Sequence, residues 1–273
     1  MIRRVVGGGC VAALLACVAL VATSGVAVAA ERGLPVGVLI PKHNETLPHH
    51  GGTASSLNWS GYAVTPTGNG ITAVNSTFVV PSAGLLPPGF AATWAGIGGY
   101  NTGDLIQAGT AEGSLPSNPL LGPQYYAWYE LLPAGETQLT NCSGDATCSV
   151  TPGDHVTVTI GHVSGNTWNI AMADAGHWTW SKNVTYASSG SSAEWILEAP
   201  TVVAQMLLAP VGTVAFGPTS TFTVGGATHT IAQGDPTQIA LSPGVINEAT
   251  PSPLAADGQS FNDCAYAQTC SAP

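Results

Sequence analysis

The sequence is short of positive charge. Its 273 residues include five Lys and Arg against fifteen Asp and Glu, and only 7% of the chain is charged. About 25% is usual. This scarcity excludes a nucleic-acid binder, which needs a Lys/Arg-rich face. With 45% hydrophobic residues, the chain is not a charge-rich disordered one either. Helical periodicity is also missing: beyond residue 30, no window of about 11 to 18 residues repeats every 3.6. The common hydrolase signatures are absent. There is no H-E-x-x-H, no G-x-S-x-G and no Asp-Thr-Gly or Asp-Ser-Gly.

The chain opens on a targeting pattern. Arg3 and Arg4 precede an apolar run from about Val11 to Val21, closed by Ala27-Val28-Ala29-Ala30. This is the layout of a secretory signal peptide. Its apolar core is shorter than the ~20 residues that span a membrane. Residues 1–30 are therefore expected to be removed, giving a secreted, extracellular protein with no membrane contact. Removal leaves Arg32, Lys42 and Lys182 against fifteen acids, a net charge of −12. It also leaves Cys142, Cys148, Cys264 and Cys270. Four cysteines in an exported chain imply disulfides, with three possible connectivities. Two local loops, Cys142–Cys148 and Cys264–Cys270, are the simplest.

Residues 31–52 differ in composition from the rest of the chain. They hold Pro35, Pro41, Pro48, His43, His49 and His50, and two of the three remaining cations. We read them as an N-terminal tail or short pro-segment, able to dock on an acidic domain near neutrality and to leave in acid. Residues 53–273 read as one domain. Strand-forming stretches such as Asn75–Val80, Gln124–Leu132 and His155–Val163 alternate with turn clusters such as Pro152-Gly153-Asp154 and Ser164-Gly165-Asn166. The pattern predicts an all-β sandwich or barrel, with Ser242–Pro273 as a wrapped tail. His155 and His162, seven apart on one strand, are expected on opposite faces and make a poor metal pair.

Three strand-like segments combine aromatics with a polar group: Thr93–Gly109, Tyr125–Glu130 and Ala193–Glu198. Alternate residues share a face. Gln107 therefore lies with Leu105 and Gly109, Glu198 with Ile196 and Glu194, and Glu130 with Tyr126 and Trp128. A glycosidase pair of Glu194 and Glu198 fails on distance. Residues four apart on a strand are ~13 Å apart, and such pairs need ~5–9.5 Å. From pattern alone, a non-catalytic glycan- or protein-binding sandwich remains the alternative.

The motifs together resemble the glutamic peptidases of the eqolisin family (peptidase family G1). They are Asn58-Trp59-Ser60-Gly61, Phe78-Val79-Val80-Pro81, Trp94-Ala95-Gly96-Ile97-Gly98-Gly99, Ile106-Gln107-Ala108-Gly109, Tyr126-Ala127-Trp128-Tyr129-Glu130, Pro152-Gly153-Asp154 and Ala193-Glu194-Trp195-Ile196-Leu197-Glu198. The resemblance implies an antiparallel β-sandwich of two sheets, jelly-roll and concanavalin-like, with a cleft on the concave face. It implies a monomeric, secreted endopeptidase that acts on polypeptides in acid without metal or other cofactor. The family's catalytic glutamine falls on Gln107 and its catalytic glutamate on Glu198. Trp94, Trp128, Tyr129 and Glu130 fall on substrate-cleft positions. Gly98 departs from the pattern, since many members carry an acid there. A glutamate with an ordinary pKa near ~4.3 would be half ionised at the pH where such an enzyme works.

Overall fold

The computed structural model describes residues 51–67, 70–113, 122–201 and 206–273. The signal peptide and residues 31–50 of the tail lie outside them. Among the described residues are β1 (Gly52–Ser56), β2 (Trp59–Val64), β3 (Ile71–Val79), β4 (Phe90–Gly98), β5 (Leu105–Gly113) and β6 (Gln124–Leu131). Next come β7 (Thr137–Gln138), β8 (His155–Ser164), β9 (Thr167–Asp174), β10 (Trp178–Thr185), β11 (Ala193–Glu198) and β12 (Thr213–Phe216). The last are β13 (Thr221–Val224), β14 (Ala227–Thr230), β15 (Thr237–Leu241), β16 (Ala249–Pro251) and β17 (Phe261–Ala265).

The ladders form two layers. The front layer runs β7-β6-β5-β4-β11-β2-β15-β1. The back layer runs β10-β9-β8-β3, which continues into β13-β14 and touches β12. Strands β12, β17 and β16 then lead back to β15. All of these ladders are antiparallel except β1 with β15. The expected antiparallel sandwich is therefore present.

The core between the layers accounts for the alternating burial of the back strands. In β8, Val156, Val158 and Ile160 point inward while Thr157 and Thr159 are partly exposed. They meet Ala95, Ile97, Ile106, Ala108, Trp195 and Leu197 of the front layer. The indole Nε1 of Trp195 crosses to the carbonyl of Asn75, 2.8 Å away. The front strands show no exposed edge to their pattern: β4, β5 and β11 are buried along their whole length. A second cluster, with Trp59, Trp94, Leu105, Tyr126, Trp128 and Ile196, covers their other face. A strand buried on both faces loses its polar alternation, and β4 and β5 are rich in Ala and Gly.

Both local disulfides are present, Cys142–Cys148 and Cys264–Cys270. The C-terminal stretch is more than a wrapped tail. Phe261 of β17 stacks on Phe216 at 4.5 Å and meets Tyr62 edge-on at 4.8 Å. Its strands are three and five residues long, too short to leave a period in a sequence broken by Pro251 and Pro253.

Burial also takes in carboxyl groups that have no cation beside them. Asp263 accepts from Ser60 Oγ at 2.7 Å through Oδ1, while its buried Oδ2 meets no donor among the described residues. Burial pushes Asp263 up to about 8 and Glu136 up to about 7. It raises Glu112 and Glu194 well above the usual carboxylate range. Such groups hold a proton when folded and lose it when unfolded at pH 5 to 7. Their stability contribution is complete below the unfolded pKa and is lost as pH rises through the folded one. Each costs about 1.4 kcal/mol per pH unit across that window. The melting temperature is therefore expected to be higher at pH 4 than at pH 7. Asp263→Asn, an uncharged mimic of the protonated acid, should flatten that dependence. A higher melting temperature at pH 7 would contradict the argument.

Candidate active site

Register across the front layer sets the candidate residues in three rows. The first is Glu130, Gln107, Gly96 and Glu194 on β6, β5, β4 and β11. The second is Trp128, Gly109, Trp94 and Ile196. The third is Tyr126, Ala111, Ala92 and Glu198, with Trp59 beyond on β2. Gln107 and Glu198 thus share a face, two strands and four residues apart. That is about 10 Å across the sheet and about 13 Å along it at the backbone. Trp94 occupies the midpoint of their diagonal.

Two glycines make room for the Trp94 indole. A Cβ on Gly109 would lie 2.6 Å from Trp94 Cβ and 2.1 Å from the Thr93 carbonyl oxygen. A Cβ on Gly96 would lie 2.9 Å from Trp94 Cζ3 and 3.2 Å from Gln107 Cβ. The indole therefore has its benzo edge beside Gln107 and its N–H at the other end. That N–H donates to Glu198 Oε2 at 2.8 Å. Trp59 packs edge-on against it, ring centroids 4.9 Å apart.

Glu198 is fully buried and bonded at both oxygens. Asn58 Nδ2 donates to Oε1 at 2.9 Å. Asn58 is itself held locally: its N–H donates to Ser56 Oγ at 3.3 Å, and its carbonyl accepts from the Ala199 N–H at 2.9 Å. Burial disfavours the charged carboxylate; N–H donors favour it. Here burial is the larger effect and pushes Glu198 up to about 8, against the lowering by Trp94, Asn58 and Trp59. The expected ordinary value near ~4.3 is corrected accordingly.

Gln107, also fully buried, donates through Nε2 to Glu130 Oε2 at 2.6 Å. This bond orients the amide. Its Oε1 is buried without a partner among the described residues, and an amide nitrogen carries a second hydrogen. Trp128 and Glu130 lie on this face. Tyr129 does not: it points into the sandwich, stacked on Trp180 at 5.4 Å, and accepts a bond from Lys182 Nζ at 2.8 Å. Three successive strand residues cannot face one cleft. At the margin, Tyr126 donates its hydroxyl to Glu136.

Gly98 has a structural reason. Its φ is +87°, and a Cβ there would lie 2.5 Å from the Asp104 carbonyl oxygen and 3.1 Å from Asp104 Oδ2. A side chain does not fit. The Asp104 carboxylate already stands beside that position, held by the N–H and hydroxyl of Ser189 at 2.7 and 2.9 Å. Neither Asn58 nor Asp104 is singled out by sequence pattern. Asn58 lies inside one of the motifs, whereas nothing in the spacing points to Asp104. Among the described residues, one group could offer three ligands to a metal: Asp154, Asp174 and His177. It belongs to the back layer, and His177 Nδ1 already meets Asp174 Oδ2 at 2.8 Å.

The fold and this face agree with a known family. Residues 57–253 match the model of the Peptidase A4 family. The chain belongs to that family, the glutamic peptidases anticipated from its motifs, and is a glutamic endopeptidase by membership. Among solved structures, it is similar to scytalido-glutamic peptidase bound to a transition state analog inhibitor. The identity is 18% and the TM-score 0.59, covering 76% of this chain and 98% of that one. It is similar also to SCP-B, a member of the eqolisin family in complex with the tripeptide Ala-Ile-His. There the identity is 17% and the TM-score 0.55, with the same coverage. At these identities the likeness shows the fold. No curated protein matches in sequence.

Two outcomes test the geometry. Asn58→Ala removes a donor that favours ionised Glu198, so the Glu198 pKa should rise. If activity needs the ionised form, the acid limb of the kcat/KM profile should move to higher pH, by about one unit. An unmoved limb would deny Asn58 this role. Gly98→Asp should cost about 2 kcal/mol or more of stability, read as a fall in melting temperature.

Proposed function

We propose that the chain is a secreted endopeptidase that cleaves polypeptides in acid, with Glu198 and Gln107 as its catalytic pair. The observation that carries this reading is a buried carboxyl, bonded at both oxygens by N–H donors. It shares a face with a glutamine whose amide is oriented but incompletely bonded. Secretion rests on residues 1–30 and on four cysteines paired in two disulfides.

Both groups are fully buried, so a substrate reaches them only when the packing over this face opens. Water entering then removes the desolvation that raises Glu198, while Asn58 and Trp94 continue to favour its charge. The carboxylate takes a proton from water as the water oxygen bonds to the scissile carbonyl carbon. The carbonyl electron pair moves onto oxygen, and the free Nε2 hydrogen of Gln107 donates to that oxyanion. Protonated Glu198 returns the proton to the amide nitrogen, the C–N bond breaks, and an acid and an amine leave. An amide does not titrate, so Gln107 serves at any pH. A histidine base would be charged and unable to act in acid.

Cleavage of casein or haemoglobin is expected at about pH 3–4, where a carboxyl of near-ordinary pKa is part ionised. Chelators and serine or cysteine reagents should not affect it. Glu198→Gln should abolish cleavage. Gln107→Ala should lower kcat about 100- to 1,000-fold, with β-type circular dichroism retained in both. Full activity in Glu198→Gln would overturn the assignment.

A further inference from the structure

The outer face of the back layer carries a concave surface of its own, on the opposite side of the sandwich from Gln107 and Glu198. It is a cavity of about 580 Å³, within the roughly 300–1,000 Å³ of ligand sites. Strand register builds it. Ala171 and Ala173 of β9 lie between Thr159 and Thr157 of β8 on one side and Ser181 and Thr179 of β10 on the other. Paired positions share a face, and all six residues line the cavity. The alanines therefore form an apolar floor. The four hydroxyl residues form two parallel walls, about 10 Å apart at the backbone. Thr140, Asn141 and Ser143 close one end. Ser143 and Thr179 exchange N–H to carbonyl bonds at 2.8 and 2.9 Å, and the Cys142–Cys148 disulfide ties this segment down.

The walls are ordered by bonds to their neighbours. Thr159 Oγ1 donates to Asn75 Oδ1 at 3.0 Å, and Thr157 Oγ1 meets Thr77 Oγ1 at 3.3 Å. At the other end of the floor, Asn169 Nδ2 donates to Ser181 Oγ at 3.0 Å and to Asn183 Oδ1 at 2.7 Å. A hydroxyl offers one donor and two acceptor sites, so each wall keeps bonding capacity toward the trough. A matching ligand carries polar groups along both edges and an apolar face beneath. A pyranose ring has this form, with hydroxyls around its rim and C–H groups on its flat faces. A polypeptide segment does not: its backbone bonds best to a sheet edge, and its side chains need pockets. Here the floor is two methyl groups. The lining holds no ionisable side chain, which matches a neutral ligand.

We propose that this trough binds a neutral oligosaccharide, with one ring over Ala171 and Ala173, as a glycan site separate from the peptidase face. The test is calorimetric titration of the whole protein with cellohexaose, maltohexaose and β-1,4-mannohexaose. Saturable binding of at least one is expected, with the same affinity at pH 4 and pH 6. Ala171→Tyr fills the trough. The double variant Thr157→Val, Thr159→Val removes the hydroxyls of one wall and keeps its shape. Each should weaken binding about tenfold or more, with circular dichroism and casein cleavage unchanged. The double variant keeps the test decisive if Ala171→Tyr fails to fold. No binding of any of the three sugars, or binding that the variants leave unchanged, would overturn the proposal. A casein peptide that binds in place of the sugars, and is weakened by the same variants, would also overturn it.

Discussion

The structure depends on a front sheet that is buried on both faces. One face forms the sandwich core, and the other lies under Trp59, Trp94, Trp128 and their neighbours. A doubly buried sheet must be filled by small and apolar residues. Any polar side chain left on it therefore stands in a low-dielectric setting, where its bonding decides its charge. Gln107, Glu112, Glu130, Glu194 and Glu198 are all fully buried. The same constraint that makes β4 and β5 rich in Ala and Gly also gives these groups their chemistry.

That constraint accounts for the unusual charge balance. In most proteins a buried carboxylate is kept ionised by a cation, and acid unfolds the chain by removing the charge. Lys182, the one Lys or Arg among the described residues, donates to a tyrosine instead. Glu112, Glu136, Glu194, Glu198 and Asp263 are raised by desolvation, and neutral donors such as Ser60, Thr93, Asn58 and Trp94 meet the buried acids. The donors favour the charge, but at Glu198, Asp263 and Glu112 desolvation outweighs them and favours the protonated carboxyl. Scarcity of cations and abundance of buried acids are thus two sides of one design for a low-pH fold.

Much of the fold was legible in the sequence. Strand-forming stretches between turn clusters marked the back strands, and the motif set singled out Gln107 and Glu198, which register then brings to one face. Other features belong to tertiary structure. The face of Tyr129 is set by alternation along β6, but the motif treats Trp128, Tyr129 and Glu130 as a block. The bond from Asn58 to Glu198 spans 140 positions, and no local pattern encodes it. Asp104 reaches the Gly98 position only through the turn between β4 and β5. The apolar neighbours of Glu198 along its strand point to a raised pKa, but the size of the shift comes from desolvation by other strands.

Closure and chemistry are opposed at Glu198, and the opposition is useful. In the closed state desolvation outweighs the N–H donors, so the carboxyl holds its proton well above the pH of an acidic medium. A neutral carboxyl is a poor base, and a sealed face admits no substrate. Opening changes one term and leaves the other. In the proposed opening, water relieves the desolvation; Asn58 is anchored to Ser56 and to the Ala199 N–H, and Trp94 is seated between Gly96 and Gly109. In the mechanism proposed above, the base forms as the cleft admits its substrate. A rigid pair of donors on a group whose solvation varies is a physical means of making one side chain serve as base and then as acid.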